Sequence, residues 1–215
     1  MALFEGYTCV LDVETGGFST KDNLLTEIGF IILNPKLEEV ERYVSYIKPY
    51  DSSKYLTKKA QELTGITMEV LLEKGKDLKL VLEEIKAIWA KYKKKYQKIC
   101  LCGHNFKFDI TFMEYVFDFV EGKQQDGKSA IYKYVDEQTE DTMRLAHRKW
   151  GNSGEVADYK LGTLASHIGF TNTAAHDALY DVEATVVLFR YLIGCLQGDG
   201  GQVVSKENKG FVFQF

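Results

Sequence analysis

Tyr7-Thr8-Cys9-Val10-Leu11-Asp12-Val13-Glu14 is the stretch from which the fold is read. Cys9, Leu11 and Val13 alternate with Thr8, Val10, Asp12 and Glu14, the period of two that marks a strand, so both carboxylates share one face. Residues 27–34 form a second strand, nearly all apolar in its middle, as a central strand covered on both faces must be. Asn34-Pro35-Lys36 then turns the chain into a third strand around residues 40–48, so the opening is a β-meander. Residues 57–65 read as a short helix stopped by Gly65, and another begins near Thr67. Leu78, Val81, Leu82, Ile85, Ile88, Trp89, Tyr92 and Tyr96 recur at three-and-four spacing, which predicts a helix with one buried face. Residues 99–102 read as a short strand, residues 106–120 as a helix with Asp109 in its first turn, and residues 142–150, 161–168 and 174–196 as three more helices. Residues 121–138, polar and punctuated by glycine, read as a surface insertion or hairpin. The pattern is that of an α/β fold with a mixed sheet.

With 215 residues the chain supports one ample core, and 45% hydrophobic with 27% charged residues is a globular composition rather than a disordered one. No apolar run approaches the roughly 20 residues of a membrane span. The start, Met1-Ala2-Leu3-Phe4-Glu5, lacks the basic flank and apolar run of a secretory signal, so the expectation is a cytoplasmic protein with no membrane partner. The cysteines at 9, 100, 102 and 195 form no CxxC pair and are expected to be reduced thiols packed as small apolar side chains. A net charge of -4 excludes a global basic field for coating nucleic acid. The local exception, five lysines within residues 91–98, reads first as a solvated helix end.

The acidic residues carry more information. Thirteen Asp and 18 Glu, 31 acids in all, produce roughly one Asp-x-Glu by chance, so Asp12-Val13-Glu14 alone decides little. Its position at the end of an apolar strand adds weight, because a charged pair there is costly unless exposed or neutralised by a cation. His-x4-Asp is expected about 0.2 times by chance, yet it occurs as His104 to Asp109 and again as His176 to Asp181. Both fall where a helix begins, so both acids are able to converge with the first pair at one end of the sheet. A cluster of Asp12, Glu14, Asp109 and Asp181 stays ionised only with countercharge. Oxygen-only ligands favour Mg²⁺ or Mn²⁺, and two such ions about 3.5 to 4 Å apart suit phosphoryl displacement. His176, with an ordinary pKa of roughly 6.5, is the candidate general base.

Leu11-Asp12-Val13-Glu14-Thr15-Gly16-Gly17-Phe18 resembles the first motif of the DEDDh-type 3′-5′ exonuclease family. Gly103-His104-Asn105-Phe106-Lys107-Phe108-Asp109 resembles the second, and His176-Asp177-Ala178-Leu179-Tyr180-Asp181-Val182-Glu183-Ala184-Thr185 the third. Glu27-Ile28-Gly29, Leu63-Thr64-Gly65-Ile66-Thr67 and Asp141-Thr142 are lesser matches. The resemblance implies a ribonuclease H-like fold with a five-stranded mixed sheet flanked by helices, an exonuclease domain over residues 1–197 and a C-terminal tail over residues 198–215. It further implies that Asp12, Glu14 and Asp181 hold one metal ion, that Asp12 bridges to a second supported by Asp109, and that His176 is the base.

The activity so implied is hydrolysis of phosphodiester bonds at 3′ ends of single-stranded DNA or RNA, releasing nucleoside 5′-monophosphates. The alternatives are an RNA-specific exoribonuclease, or an inactive nucleic-acid or protein-binding module on the same fold. Candidate substrate contacts are Thr15, Phe18, His104 and Asn105, with the alternative that Phe18 is an ordinary core residue and that His104 and Asn105 fix the loop positioning Asp109. A polymerase or other replication partner would dock on the tail, whose Phe211, Phe213 and Phe215 also read as an edge strand folded back on the body. Two positions depart from the family pattern: Gly16 stands where a second threonine is common, and Asp177 follows the candidate base directly. Asp177 also stands where the tyrosine subclass carries its tyrosine, so the histidine subclass is the one matched.

Overall fold

The computed structural model describes residues 6–94, 97–151, 153–170 and 177–197. The candidate base His176 and the tail therefore lie outside the described residues, as do Lys95 and Tyr96 of the lysine run. In chain order the elements are β1 (Thr8–Thr15), β2 (Leu25–Leu33), β3 (Glu39–Tyr46), α1 (Lys58–Thr64), α2 (Met68–Lys74), α3 (Leu78–Tyr92), β4 (Ile99–Gly103), α4 (Lys107–Glu121), β5 (Val135–Asp141), α5 (Thr142–Trp150), α6 (Leu161–His167) and α7 (Ala178–Gln197).

The sheet runs β3-β2-β1-β4-β5. The first three strands are the expected antiparallel meander, whereas β4 pairs parallel with β1, and β5 parallel with β4. The fold is a five-stranded mixed sheet of the ribonuclease H-like kind. Alternation along β1 sorts its side chains: Cys9, Leu11 and Val13 enter the core formed with Leu82, Ile85 and Trp89 of α3 and Met113 and Val116 of α4. Val10, with Ile31, Leu33 and Cys102, packs instead on Val182, Val186, Phe189 and Ile193 of α7. Asp12 and Glu14 share Val10's parity and so lie on the α7 face.

The polar segment 121–138 is not surface loop throughout: Glu121 closes α4, a tight turn joins Gln124 to Lys128, and Val135 opens β5. Residues 130–133 form a 3₁₀ turn that buries Ala130 and Ile131 in the core. The Asp118 carboxylate holds it, accepting from the Ser129 hydroxyl at 2.8 Å and the Ala130 N–H at 2.7 Å. The chain then enters β5 at Val135. This strand escapes a periodicity reading because it is an edge strand whose central residues are polar and exposed, leaving Val135 and Asp141 as its buried ends.

Cys9 and Cys102 are fully buried free thiols, while Cys100 and Cys195 are half-buried. In the lysine run, Lys91 pairs with Glu41 at 2.8 Å and Lys98 donates to the Tyr132 carbonyl, so these two tie α3 and β4 to their neighbours. Among the described residues no helix is long and apolar enough to cross a membrane.

One glycine decides where α7 starts. Gly29 lies opposite Asp12 in the β1–β2 register, and a Cβ there would come within 2.9 Å of the Ala178 carbonyl carbon. Only a bare α-carbon lets α7 approach β2 this closely. Gly29→Ala is expected to destabilise the protein by about 1–3 kcal/mol through overpacking, measured as a lower urea midpoint with an unchanged m-value.

Candidate active site

The site forms where the sheet splays. β1 and β4 stay paired only through Val10 and Cys102, after which β4 ends in the turn at residues 103–106. The Val13 N–H donates instead to the Asp109 carboxylate at 3.1 Å. Asp109, buried in the first turn of α4, thus fills the edge of β1 that β4 has left. On the opposite side, the first turn of α7 brings Asp181 against the face bearing Asp12 and Glu14. Ligand oxygens of Asp12, Glu14 and Asp181 all lie within 4.8 Å of one another. Together with Asp109 these residues line a cleft of about 370 Å³, shared with Val13, Phe18, His104, Asn105 and Phe108. Helix N-termini at both Asp109 and Asp181 add a favourable dipole, but one too small to offset the crowding.

The crowding is visible in the acidities. Burial pushes the Glu14 carboxyl up to about 8, with Asp181, Glu27, Asp109 and Asp177 adding like-charge repulsion. Asp109 is pushed up to about 8, again chiefly by burial, against the lowering effect of the Val13 N–H. Asp12 is held well above the carboxylate range by burial and by Asp109, Glu14, Asp181 and Glu27.

Glu27 is the acid that the sequence reading leaves out of the cluster. It stands directly opposite Glu14 in the sheet, is buried, and accepts from the Ala178 N–H at 3.4 Å. Burial and Asp177 push it up to about 7. Its signal is a lone charge inside the otherwise apolar Leu25–Leu33 strand. Asp177 itself accepts from the Leu179 and Tyr180 N–H groups at 3.1 and 3.3 Å, and so starts α7 as its N-cap.

Of the other candidates, Phe18, His104 and Asn105 line the cleft, whereas Thr15 is buried and is not among its lining residues. Thr15 ends β1 and donates its hydroxyl to the Gly17 carbonyl at 2.7 Å. Gly16 stands where it does because the Tyr55 carbonyl oxygen lies 2.6 Å from the place a Cβ would take. Phe18 is no core residue: it is 84% exposed, and its ring meets Phe108 edge-on at 6.1 Å. His104 spends both ring nitrogens on the protein, Nε2 at 2.9 Å from the Tyr159 carbonyl and Nδ1 at 2.8 Å from the Thr142 hydroxyl. A carbonyl only accepts, so Nε2 carries a proton, while Nδ1 and the Thr142 hydroxyl share the other bond. Asn105 adopts a left-handed backbone with φ of 55°. Its N–H and that of Phe106 donate to the Asp141 carboxylate at 3.0 and 3.2 Å. Asp141 also caps α5 through Met143, at 2.9 Å, so one side chain joins the β4 turn to the start of that helix.

A mixed sheet of this order with an acidic cleft beside its central strand is a ribonuclease H-like architecture. Residues 9–189 match the family RNase_T, described as Exonuclease, and the chain belongs to that family. Ribonuclease T of Vibrio vulnificus is 28% identical over 220 residues, covering 96% of this chain and 94% of its own. The DNA polymerase III PolC-type of Caldanaerobacter subterraneus subsp. tengcongensis is 28% identical over 209 residues, covering 96% of this chain but 13% of its own. The chain thus spans about an eighth of the PolC-type relatives it matches. Among solved structures, E. coli exonuclease I in complex with a dT13 oligonucleotide shares the fold, with a TM-score of 0.70, 20% identity, and coverage of 91% of this chain and 43% of that one.

The raised acidities have a definite sign. Glu14, Glu27 and Asp109 bind protons more tightly folded than unfolded, where carboxylates titrate near 4. The folded chain therefore holds the extra protons, and its stability falls as pH rises from about 4 towards about 8. In chelator the melting temperature is expected to be higher at pH 5 than at pH 8, and millimolar Mg²⁺ is expected to raise it at pH 8. Asp12→Asn, which removes one repelling charge, is expected to raise the chelator value at pH 8 by about 3 °C. A melting temperature that climbs from pH 5 to pH 8 in chelator would contradict this account of the cluster.

Proposed function

We propose that this chain is a metal-dependent 3′-5′ exonuclease that releases nucleoside 5′-monophosphates from the 3′ ends of single-stranded DNA or RNA. The observation that carries the reading is the meeting of Asp12, Glu14 and Asp181 oxygens within 4.8 Å of one another, with buried Asp109 lining the same cleft. The family match and the relative named ribonuclease T support it. The oligonucleotide bound to exonuclease I supports a single-stranded substrate.

The donor set fits hard divalent cations: it is made of carboxylate oxygens, the ligands of Mg²⁺ and Mn²⁺, and acids so crowded need countercharge to ionise at neutral pH. Asp12, Glu14 and Asp181 would hold one ion, and Asp12 with Asp109 a second. Two bound ions supply Lewis-acid stabilisation for the attacked phosphate and the departing oxygen. His176 takes the proton of the attacking water as that oxygen bonds to phosphorus. The bond from phosphorus to the 3′ oxygen of the preceding nucleotide breaks, and that oxygen takes a proton from solvent water to become the new 3′ hydroxyl. Phe18 and Phe108 flank the entrance, where an exposed ring offers a stacking surface to a base whatever its sequence. The backbone of Thr15, at the end of β1, is the candidate contact for the terminal hydroxyl. His104 and Asn105 act through the wall they build, His104 by joining it to Thr142 and Tyr159.

Matched 5′-labelled DNA and RNA strands, single and double, followed on gels in Mg²⁺, Mn²⁺ and chelator test the reading directly. Stepwise shortening from the 3′ end that chelator stops is expected, and cleavage of RNA alone would select the exoribonuclease alternative. Asp12→Ala is expected to abolish the shortening while leaving the circular dichroism spectrum intact; undiminished cleavage by this variant would refute the assignment. His176→Ala is expected to lower turnover about 10²–10⁴-fold at pH 7 and by less at pH 9, where hydroxide replaces the missing base. An equal loss at both pH values would take the base role from His176.

A further inference from the structure

Lys54 is a buried lysine away from the acidic cluster, only 5% exposed. Its ammonium donates to the Lys21 carbonyl at 2.7 Å and to the Thr20 carbonyl, and it sits 4.2 Å from the centre of the Tyr115 ring. Burying a charge this way is costly, and an apolar side chain of the same length would fill the slot at less cost. Such a side chain would not hold the two carbonyls.

Those carbonyls belong to the loop that carries Phe18. Its ends are tied by backbone: the Thr57 N–H donates to the Gly16 carbonyl at 2.7 Å, and the Tyr55 N–H to the Asp22 carbonyl at 3.0 Å. Asn23 adds a bond to the Tyr55 carbonyl at 3.2 Å. Between these ties, Lys54 reaches the stretch directly after Phe18. A ring that is 84% exposed has little packing of its own, so its place is set by the backbone beneath it. Tyr115 anchors the ammonium from α4, the helix that also carries Phe108 and Asp109. The lysine thus ties the Phe18 loop to the helix that supplies the other half of the cleft mouth.

We propose that Lys54 is a positioning residue for substrate: by holding the Thr20 and Lys21 carbonyls it sets where the exposed Phe18 ring stands beside Phe108 at the cleft mouth, the surface on which the 3′-terminal base stacks. The inference rests on the proposed reading of this cleft as the site of 3′-end excision.

The test uses the full chain and an oligonucleotide with 2-aminopurine at its 3′ end. In chelator, where nothing is cleaved, wild type is expected to quench the fluorophore by stacking, and both Phe18→Ala and Lys54→Met are expected to lose that quench. In Mg²⁺ each single variant is expected to raise KM about tenfold, the equivalent of one weakened stacking contact, with kcat changed less than twofold. Phe18→Ala/Lys54→Met is expected to be no worse than Phe18→Ala, because the lysine acts through the ring. A Lys54→Met protein that quenches and binds as wild type does, or whose effect multiplies fully with Phe18→Ala, overturns the proposal. If Lys54→Met fails to fold, Lys54→Leu, which likewise offers the two carbonyls no donor and fills less of the slot, carries the same comparison. A wild-type protein that neither quenches nor cleaves would instead overturn the exonuclease reading itself.

Discussion

Repulsion among carboxylates at the open end of β1 is the constraint around which this protein is arranged. Asp12, Glu14, Asp109 and Asp181 line one cleft with Glu27 close behind, and burial and mutual charge press Glu14 and Asp109 up to about 8 and Glu27 up to about 7. Left to itself such a group would move apart or protonate. The fold prevents the first by spending ordinary interactions on each acid's backbone: the sheet register for Asp12, Glu14 and Glu27, the Val13 N–H for Asp109, and the contact of Ala178 over Gly29 for the turn bearing Asp181. The resulting strain is local, and the apolar layers on both faces of the sheet hold the scaffold against it.

The splay of β1 from β4 turns this cluster into a cleft. If the two strands had stayed paired beyond Val10 and Cys102, β4 would occupy the edge that Asp109 now fills. The turn that ends β4 is held in place by Asp141, through the N–H groups of Asn105 and Phe106, and by His104. The other wall is the loop after β1, clamped to residues 54–57 by backbone bonds and by the buried Lys54. One wall is thus built by a carboxylate and the other by an ammonium, each bonding to main chain, which leaves the exposed ring of Phe18 at the rim.

Membership of the exonuclease family rests on residues 9–189, nearly the whole of the described sheet and helices. Its relatives use that stretch in two settings, as almost an entire ribonuclease T and as about an eighth of a PolC-type polymerase. Under the proposed reading the acidic cleft suits either setting, because a 3′ end presents the same phosphodiester in both. Choice between sugars or partners has to come from the walls and from surfaces beyond them.

Much of this was legible from the chain itself. The period of two over residues 8–14 placed Asp12 and Glu14 on one face, the three-and-four stripe located α3, and the repeated His-x4-Asp spacing marked Asp109 and Asp181 at helix starts. These features are local, and local periodicity is what a sequence records directly. The sheet order, the polar edge strand β5, the opposition of Glu27 to Glu14, the reason for Gly16 and the role of Lys54 were not legible. Each depends on which distant segments lie side by side. Partners of that kind, such as a lysine and the carbonyls 33 and 34 residues before it, leave no spacing to read. They exist only once the apolar layers have brought the segments together.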